Sequence, residues 1–484
     1  MNQPNRTTWT ARRTGGCIAV MCLLLAGCAE TGPAQPGAVD PGVRGGQAGA
    51  GGPLNGLTAD ETTFFNDGLT RFAEINTVTG ADHSGLGPRF NSNQCLGCHS
   101  QPGPGGTSPA SNPLIAVATL NGAKNAVPWF IAAAGPIREA RFKQQPDGTA
   151  DGNVHDLFVI SGRRDAAGCS IAQDSFTPAG NALTGQDGNP NIIFRIPTPV
   201  FGAGLIEAIP DSAILANLSK NRSEKSAMGI SGHPNSILSG NVNRSGNDGT
   251  ITRLGWKAQN KSLLMFSGEA YNVEMGVTNQ LFPQKRDETP GCLLTPTPED
   301  TINFTPAAAS TKATAAEPAA NTAVISDIEG FANFMRMLAP PTPATDTPST
   351  ASGRGVFGEV GCAHCHTPML TTGKAIASGS STSPSSALSN QPVHLYSDLL
   401  VHRMGSALAD GITQGGAGPD EFRTAPLWGL GKRVFFLHDG RTSNLVQAIA
   451  AHRSPGSEAS SVIGRFDHLT TQQQQDLINF LRSL

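Results

Sequence analysis

Two copies of the pattern Cys-x-x-Cys-His, Cys95 to His99 in NQCLGCHS and Cys362 to His366 in GCAHCHTP, stand 267 residues apart, histidine to histidine (366 − 99). With 9 cysteines and 11 histidines in 484 residues, chance supplies on the order of 0.004 such units per chain, so the pair has a chemical reason. A redox dithiol needs only the two sulfurs. A four-cysteine zinc site would combine the two pairs, but neither chemistry explains a histidine after each. Covalent haem uses all three residues: the thiols form thioethers with the vinyl groups, and the adjoining imidazole lies under the iron. The pattern therefore predicts two haem c groups, attached through Cys95, Cys98, Cys362 and Cys365, with His99 and His366 as proximal iron ligands.

Duplicated sites suggest duplicated domains, and 484 residues are enough for two or three. The net charge of −3, from 34 basic and 37 acidic residues, argues against a nucleic-acid partner. Arg6, Arg12 and Arg13 precede the apolar run CIAVMCLLLAGC, Cys17 to Cys28, which is too short to span a bilayer and reads as a signal-peptide core. Its end, Leu25-Ala26-Gly27-Cys28, resembles a bacterial lipobox, which implies a lipid on Cys28 and a place on the periplasmic side of the cell envelope, anchored to the outer membrane. The alternative is an ordinary secretory signal with a chance cysteine. Residues 29–57 are rich in Gly, Ala and Pro, as a flexible linker from anchor to body would be.

Two further cysteines, Cys169 and Cys292, would close a loop of 124 residues (292 − 169 + 1) if bridged, and are otherwise two unpaired thiols. Thr58 and Glu61 form a capping-box signature before Phe64, Phe65, Leu69 and Phe72. Ser326 and Glu329 repeat it before Phe331, Phe334, Met335 and Leu338. A third box, Thr470 and Gln473, precedes Leu477, Phe480, Leu481 and Leu484. Residues 100–200, dense in Gly, Pro, Asn and Asp, read as loop with short strands. The expected fold is mainly α. It has an N-terminal haem domain over 58–304 with a large loop-rich insertion, a low-complexity linker over 305–323, and a C-terminal haem domain over 324–484. A fainter repeat aligns Trp256 to Leu263 (WKAQNKSL) with His438 to Leu445 (HDGRTSNL), each a turn leading into a helix-compatible run.

The stretches GLGPRFNSNQCLGCH, FGAGLIEAIPD, LGWKAQ, VEMGVTN, YSDLLVHRMG, FRTAPLWGLG, FLHDGR and LINFLRSL resemble, in the same order, the di-haem oxidoreductase (thiol oxidoreductase-like) family related to bacterial di-haem cytochrome c peroxidases. The resemblance implies two class-I cytochrome c-like domains, a calcium ion between them, and reduction of peroxide with electrons from a small cytochrome c or cupredoxin. The rival functions are pure electron transfer and oxidation of an organic or protein substrate. Carried over, it makes His452, fourteen residues after His438, the sixth ligand of the second iron, with Met404 as rival ligand or plain core methionine. Trp256 corresponds to a tryptophan between the haems, or is a packed aromatic. Glu274 corresponds to the distal acid–base group, or is a surface glutamate. The glutamine that accompanies that group in the peroxidases is replaced here by Phe266, and the spacing from Trp256 to Glu274 is two residues shorter, 18 against 20. His233, a loop histidine, could ligate the first iron reversibly or be simply solvated.

Overall fold

The computed structural model describes residues 37–80, 83–142, 158–176, 191–236, 250–301, 325–377 and 383–484. The signal segment with Cys28, and the linker expected at 305–323, lie outside them. The described chain is mainly helical and rich in loops. Its helices are α1 (Ala59–Ala73), α2 (Cys95–Cys98), α3 (Leu114–Leu120), α4 (Ala203–Glu207), α5 (Asp211–Ser219), α6 (Arg222–Ala227), α7 (Leu263–Met275), α8 (Asp327–Met337), α9 (Pro348–Val360), α10 (Leu445–Ala451), α11 (Ser460–Asp467) and α12 (Thr471–Ser483). The strands are short and pair antiparallel: β1 (Arg89–Phe90) with β3 (Phe158–Val159), β2 (Glu139–Phe142) with β4 (Ile192–Arg195), β5 (Leu370–Thr371) with β6 (Pro392–Val393), and β7 (Val401–Arg403) with β8 (Glu421–Arg423). Among the described residues no helix is long and apolar enough to cross a membrane.

An N-cap side chain starts five of the twelve described helices, α1, α7, α9, α10 and α12. The Thr58–Glu61 and Thr470–Gln473 boxes form as the sequence predicts, and Thr347 with Thr350 makes a third at α9, behind Pro348; each such cap contributes about 1 kcal/mol. The box expected at Ser326 does not form. The carboxylate of Asp300 accepts from the backbone N–H groups of Asp327 and Ile328 at 2.7 and 3.1 Å instead, so α8 is capped by a residue 27 positions upstream.

Two helix pairs organise the body. Helix α1 crosses α8 so closely that a Cβ on Gly68 would lie 2.2 Å from the Gly330 carbonyl oxygen, and α9 crosses α12 with Gly353 facing the Asp476 carbonyl, where a Cβ would come within 2.0 Å. Glycine is required at both crossings because any side chain would separate the helices. Phe64, Phe65 and Phe72 of α1 join Phe331, Phe334 and Met335 of α8 in one core; Phe357 of α9 and Phe480 of α12 meet edge to face in the second, ring centroids 5.5 Å apart. The boundary expected at residue 324 therefore does not separate the cores: α8, read from sequence as the opening of the second domain, packs against the first helix of the chain. Its amphipathic face gave no sign of which partner it would meet.

The linker expected over 29–57 is a flexible tether only in composition where it is described. From Ala38 onward it is laced to the body: Asp40 pairs with Arg482 at 2.7 Å, Lys432 donates to the carbonyls of Gly45 and Gly46, and the Leu54 N–H donates to Met337. Backbone hydrogen bonding outweighs the Gly and Pro content.

The faint repeat is structural. Leu254 bridges Asn260 as Phe436 bridges Thr442; Gly255 and Ala258 are left-handed as are Leu437 and Gly440; Ser262 caps α7 as Asn444 caps α10. All these pairs share the offset of Trp256 and His438, 182 residues (438 − 256). The two turns meet at Ile196, whose carbonyl accepts from Trp256 Nε1 at 2.9 Å and whose N–H donates to the His438 carbonyl at 2.7 Å.

Candidate functional site

Each Cys-x-x-Cys-His motif is a short helical turn laid against one of the helix pairs, and each opens onto its own cavity. At the first, His99 Nδ1 lies 3.0 Å from the Gly106 carbonyl; at the second, His366 Nδ1 lies 3.0 Å from that of Tyr396. Donation from Nδ1 fixes the tautomer that leaves the Nε2 lone pair for a metal. Burial pushes both imidazoles down to about 4, so they are neutral, the ligating form. An aromatic ring from the leading helix flanks each histidine: Phe72 at 6.0 Å from His99 and Phe357 at 6.4 Å from His366.

The thiols bear on two of the alternatives. Burial pushes Cys95, Cys98 and Cys362 up to about 12, the opposite of the depressed value a reactive dithiol needs, and none of the four motif cysteines is disulfide-bonded. The pairs line different cavities, so they do not combine into one zinc site. The one group of three metal-ligand types among the described residues, Cys365 with Asp398 and His402, draws on a single motif. His402 there is held between Glu458 at 2.7 Å and Asp398 at 2.9 Å. Cys169 and Cys292 form a disulfide, Cα to Cα 4.8 Å, so the bridged reading of that pair holds.

The second cavity fits a haem on a further ground. Arg423 and Arg433 line it, each 7% exposed, and burial pushes each down to about 10. Arg423 gives Nε to the Gly255 carbonyl, but one of its terminal nitrogens is buried without a partner, and no carboxylate pairs with either guanidinium among the described residues. Two uncompensated buried cations suit the two propionates of a haem. His452 and Met404 both line this cavity, so the structure brings both rival ligands to it; His452 Nδ1 lies 2.8 Å from the Ala448 carbonyl, and burial lowers its pKa.

In the first cavity Glu274 lies on the last turn of α7, and Phe266 lines the same cavity. Three neighbours escaped sequence reasoning. Glu139 and Arg141, alternate residues of β2, face the cavity together and pair with each other; Arg195 of β4 joins them and is bound to Asp410 at 2.5 Å. The Glu139 and Glu274 carboxyls hydrogen-bond each other, and Asn91 donates to Glu274. Burial, then the Glu139 charge, raises Glu274 well above the usual carboxyl range. Burial acts the same way on Glu139, but the Arg141 charge and hydrogen bond, the hydrogen bond with Glu274 and the Arg195 charge together outweigh it and hold Glu139 low. Period-2 alternation over four residues inside a Gly- and Pro-rich stretch was too weak a signal to find this strand.

Trp256 lines both cavities. The next residue, Lys257, is buried, lies 3.1 Å from Asp410, and is pushed down to about 8 by burial. His233 is elsewhere: its Nε2 lies 3.1 Å from Glu421, and it lines neither cavity.

The family model described as "Di-haem oxidoreductase, putative peroxidase" matches residues 170–484, a stretch that holds the second motif, Trp256, Glu274 and His452. Four solved chains match as well. Hydrazine synthase of Kuenenia stuttgartiensis is 21% identical over 33% of this chain and 55% of its own, with a TM-score of 0.21. A MauG-like protein associated with microbial copper homeostasis is 19% identical over 37% of this chain and 60% of its own, with a TM-score of 0.22. The chain thus spans little more than half the length of these solved relatives. No curated protein matches. By the family match over 170–484, this chain belongs to the di-haem oxidoreductases.

Proposed function

We propose that this chain is a di-haem c oxidoreductase of the bacterial cell envelope that reduces peroxide with electrons from a small cytochrome c or cupredoxin. The observation that carries the reading is the asymmetry of the two cavities on either side of Trp256. The first holds the Glu139–Glu274 carboxyl pair and, among its lining residues, no imidazole besides His99; the second holds His402, His438 and His452 besides His366, among mostly apolar side chains. One cavity is suited to proton chemistry and the other to holding an electron.

In this reading Cys95, Cys98, Cys362 and Cys365 carry the haems as thioethers, His99 and His366 are proximal ligands, and His452 closes the second iron. Bound haem supplies the iron at which peroxide is held and reduced. The chain's own residues do the rest: Glu274 holds a proton in the first cavity, Trp256 links the cavities, and Arg423 with Arg433 neutralises the propionates of the second group. The two helix pairs, α1 with α8 and α9 with α12, then belong to two cytochrome c-like domains meeting near residue 338. A lipid on Cys28 tethers the protein to the periplasmic face of the outer membrane. Calcium enters through the resemblance alone.

The test uses purified holoprotein with a reduced donor. Two haems per chain that survive acid–acetone extraction and steady consumption of peroxide are expected. No turnover, with both irons low-spin in the oxidised and half-reduced states, would hand the reading to pure electron transfer.

A further inference from the structure

We propose that Glu139 and Glu274 act as one acid–base pair in the first cavity, with the Arg141 guanidinium deciding which carboxyl keeps the proton; the proposal rests on the peroxide reading above. Glu139 and Arg141 are two residues apart on β2, so both point to the same face, into the cavity that Glu274 enters from the end of α7. Arg141 pairs with Glu139, Asn91 donates to Glu274, and the two carboxyls hydrogen-bond each other. Two carboxyls in contact cannot both ionise cheaply, so the pair shares one proton. The guanidinium beside Glu139 places the charge there and the proton on Glu274.

This arrangement replaces the amide missing at Phe266 with something of wider use. A single glutamate must take a proton from one peroxide oxygen and then give it to the other. A pair does both at once. Glu139 takes the proton from the oxygen that stays, Glu274 gives its proton to the oxygen that leaves, the O–O bond breaks, and the leaving oxygen departs as water. The pair starts and ends with one proton. The oxygen that stays becomes the second water with two solvent protons and two electrons from the small redox donor. The groups facing the pair are Arg195 on β4, Glu269 on α7, and Cys95, Cys98 and His99 at the motif. The motif thiols are protonated or alkylated and the imidazole is neutral, so Arg141 and Arg195 are the cations that govern the pair, with Glu269 acting on Arg141.

The experiment measures peroxide turnover against pH in the holoprotein, with infrared spectra of the resting enzyme. Wild type should give a bell, with an acid limb from protonation of Glu139 and an alkaline limb from ionisation of Glu274. Glu139→Gln should lower turnover by about 10²-fold, abolish the acid limb and move the alkaline limb to lower pH, because Glu274 loses its charged neighbour. Glu139→Asp, which keeps the ion pair with Arg141, should restore the acid limb. Wild type should show a protonated-carboxyl band at neutral pH that Glu274→Gln removes. A wild-type pH profile in Glu139→Gln, or no such band in wild type, overturns the pair. A wild type without turnover overturns the proposed function instead, and the band then still decides whether the two carboxyls share a proton.

Discussion

Replacing Arg433 by Leu tests how the second cavity is charged for its occupant. Burial alone brings this guanidinium from 12.5 down to about 10, so its charge costs about 3 kcal/mol that no side chain of the chain repays, at about 1.4 kcal/mol per unit. Arg423 stands in the same position. A propionate seated between them would recover that energy, and removing one guanidinium would leave a carboxylate short of about the same 3 kcal/mol, or roughly two units of pKa. An ordinary carboxyl near 4.3 would then titrate near about 6.5. The ferrous iron, less positive, favours the protonated carboxyl more than the ferric iron does. The potential of the second haem should therefore fall as pH rises through that window, by up to about 59 mV per unit. In wild type the two guanidiniums hold both carboxyls within or below the ordinary carboxyl range, so both stay ionised and the potential is flat from about pH 6 to 8. Spectroelectrochemical titration at several pH values reads this directly, with the haem identified as the one whose wave responds to His452→Met. If Arg433→Leu left both waves at their wild-type potentials and slopes, propionate pairing by Arg433 would be wrong.

Three further changes probe other parts of the molecule. His452→Met should stay low-spin and raise the potential of the second haem, since a thioether favours ferrous iron more than imidazole does; an unchanged potential, with Met404→Ala opening the iron instead, transfers the ligand role to Met404. Trp256→Phe should keep both haems, both potentials and the packing of a residue only 8% exposed, yet slow electron passage from the second haem to the first after stopped-flow half-reduction; equal rates would leave Trp256 as a packed aromatic. Serine at both Cys169 and Cys292 opens the bridged loop and should cost about 5 kcal/mol of stability by chain entropy, seen as a lower denaturant midpoint at unchanged haem content, and a midpoint equal to wild type would refute that account.

The residues legible in the sequence are those fixed by local covalent or helical rules. Cys-x-x-Cys-His needs five neighbours in one turn, and a capping box needs four. Trp256 and Glu274 also landed at cavity walls, because the segments that carry them have a recognisable wording. What the sequence hid is tertiary. Glu139 and Arg141 acquire their meaning only from a carboxyl more than 130 residues away, and Arg423 and Arg433 only from lining a cavity closed by α9 to α12 with no carboxylate paired to either among the described residues. The cap of α8 failed for the same reason: Ser326 had the right local grammar, but Asp300 reached the free N–H groups first.

The crossing of α1 with α8 also sets a schedule for making the protein. A ribosome emits the first motif long before the helix that walls it, since Met335 follows His99 by 236 residues (335 − 99), whereas Leu477 of α12 follows His366 by 111 (477 − 366). During that interval the first cavity has Phe72 on one side and no Phe331 or Met335 on the other, so its cysteines face a trough rather than a closed chamber. When α8 docks on Gly68, Phe331 and Met335 complete the wall of the first cavity.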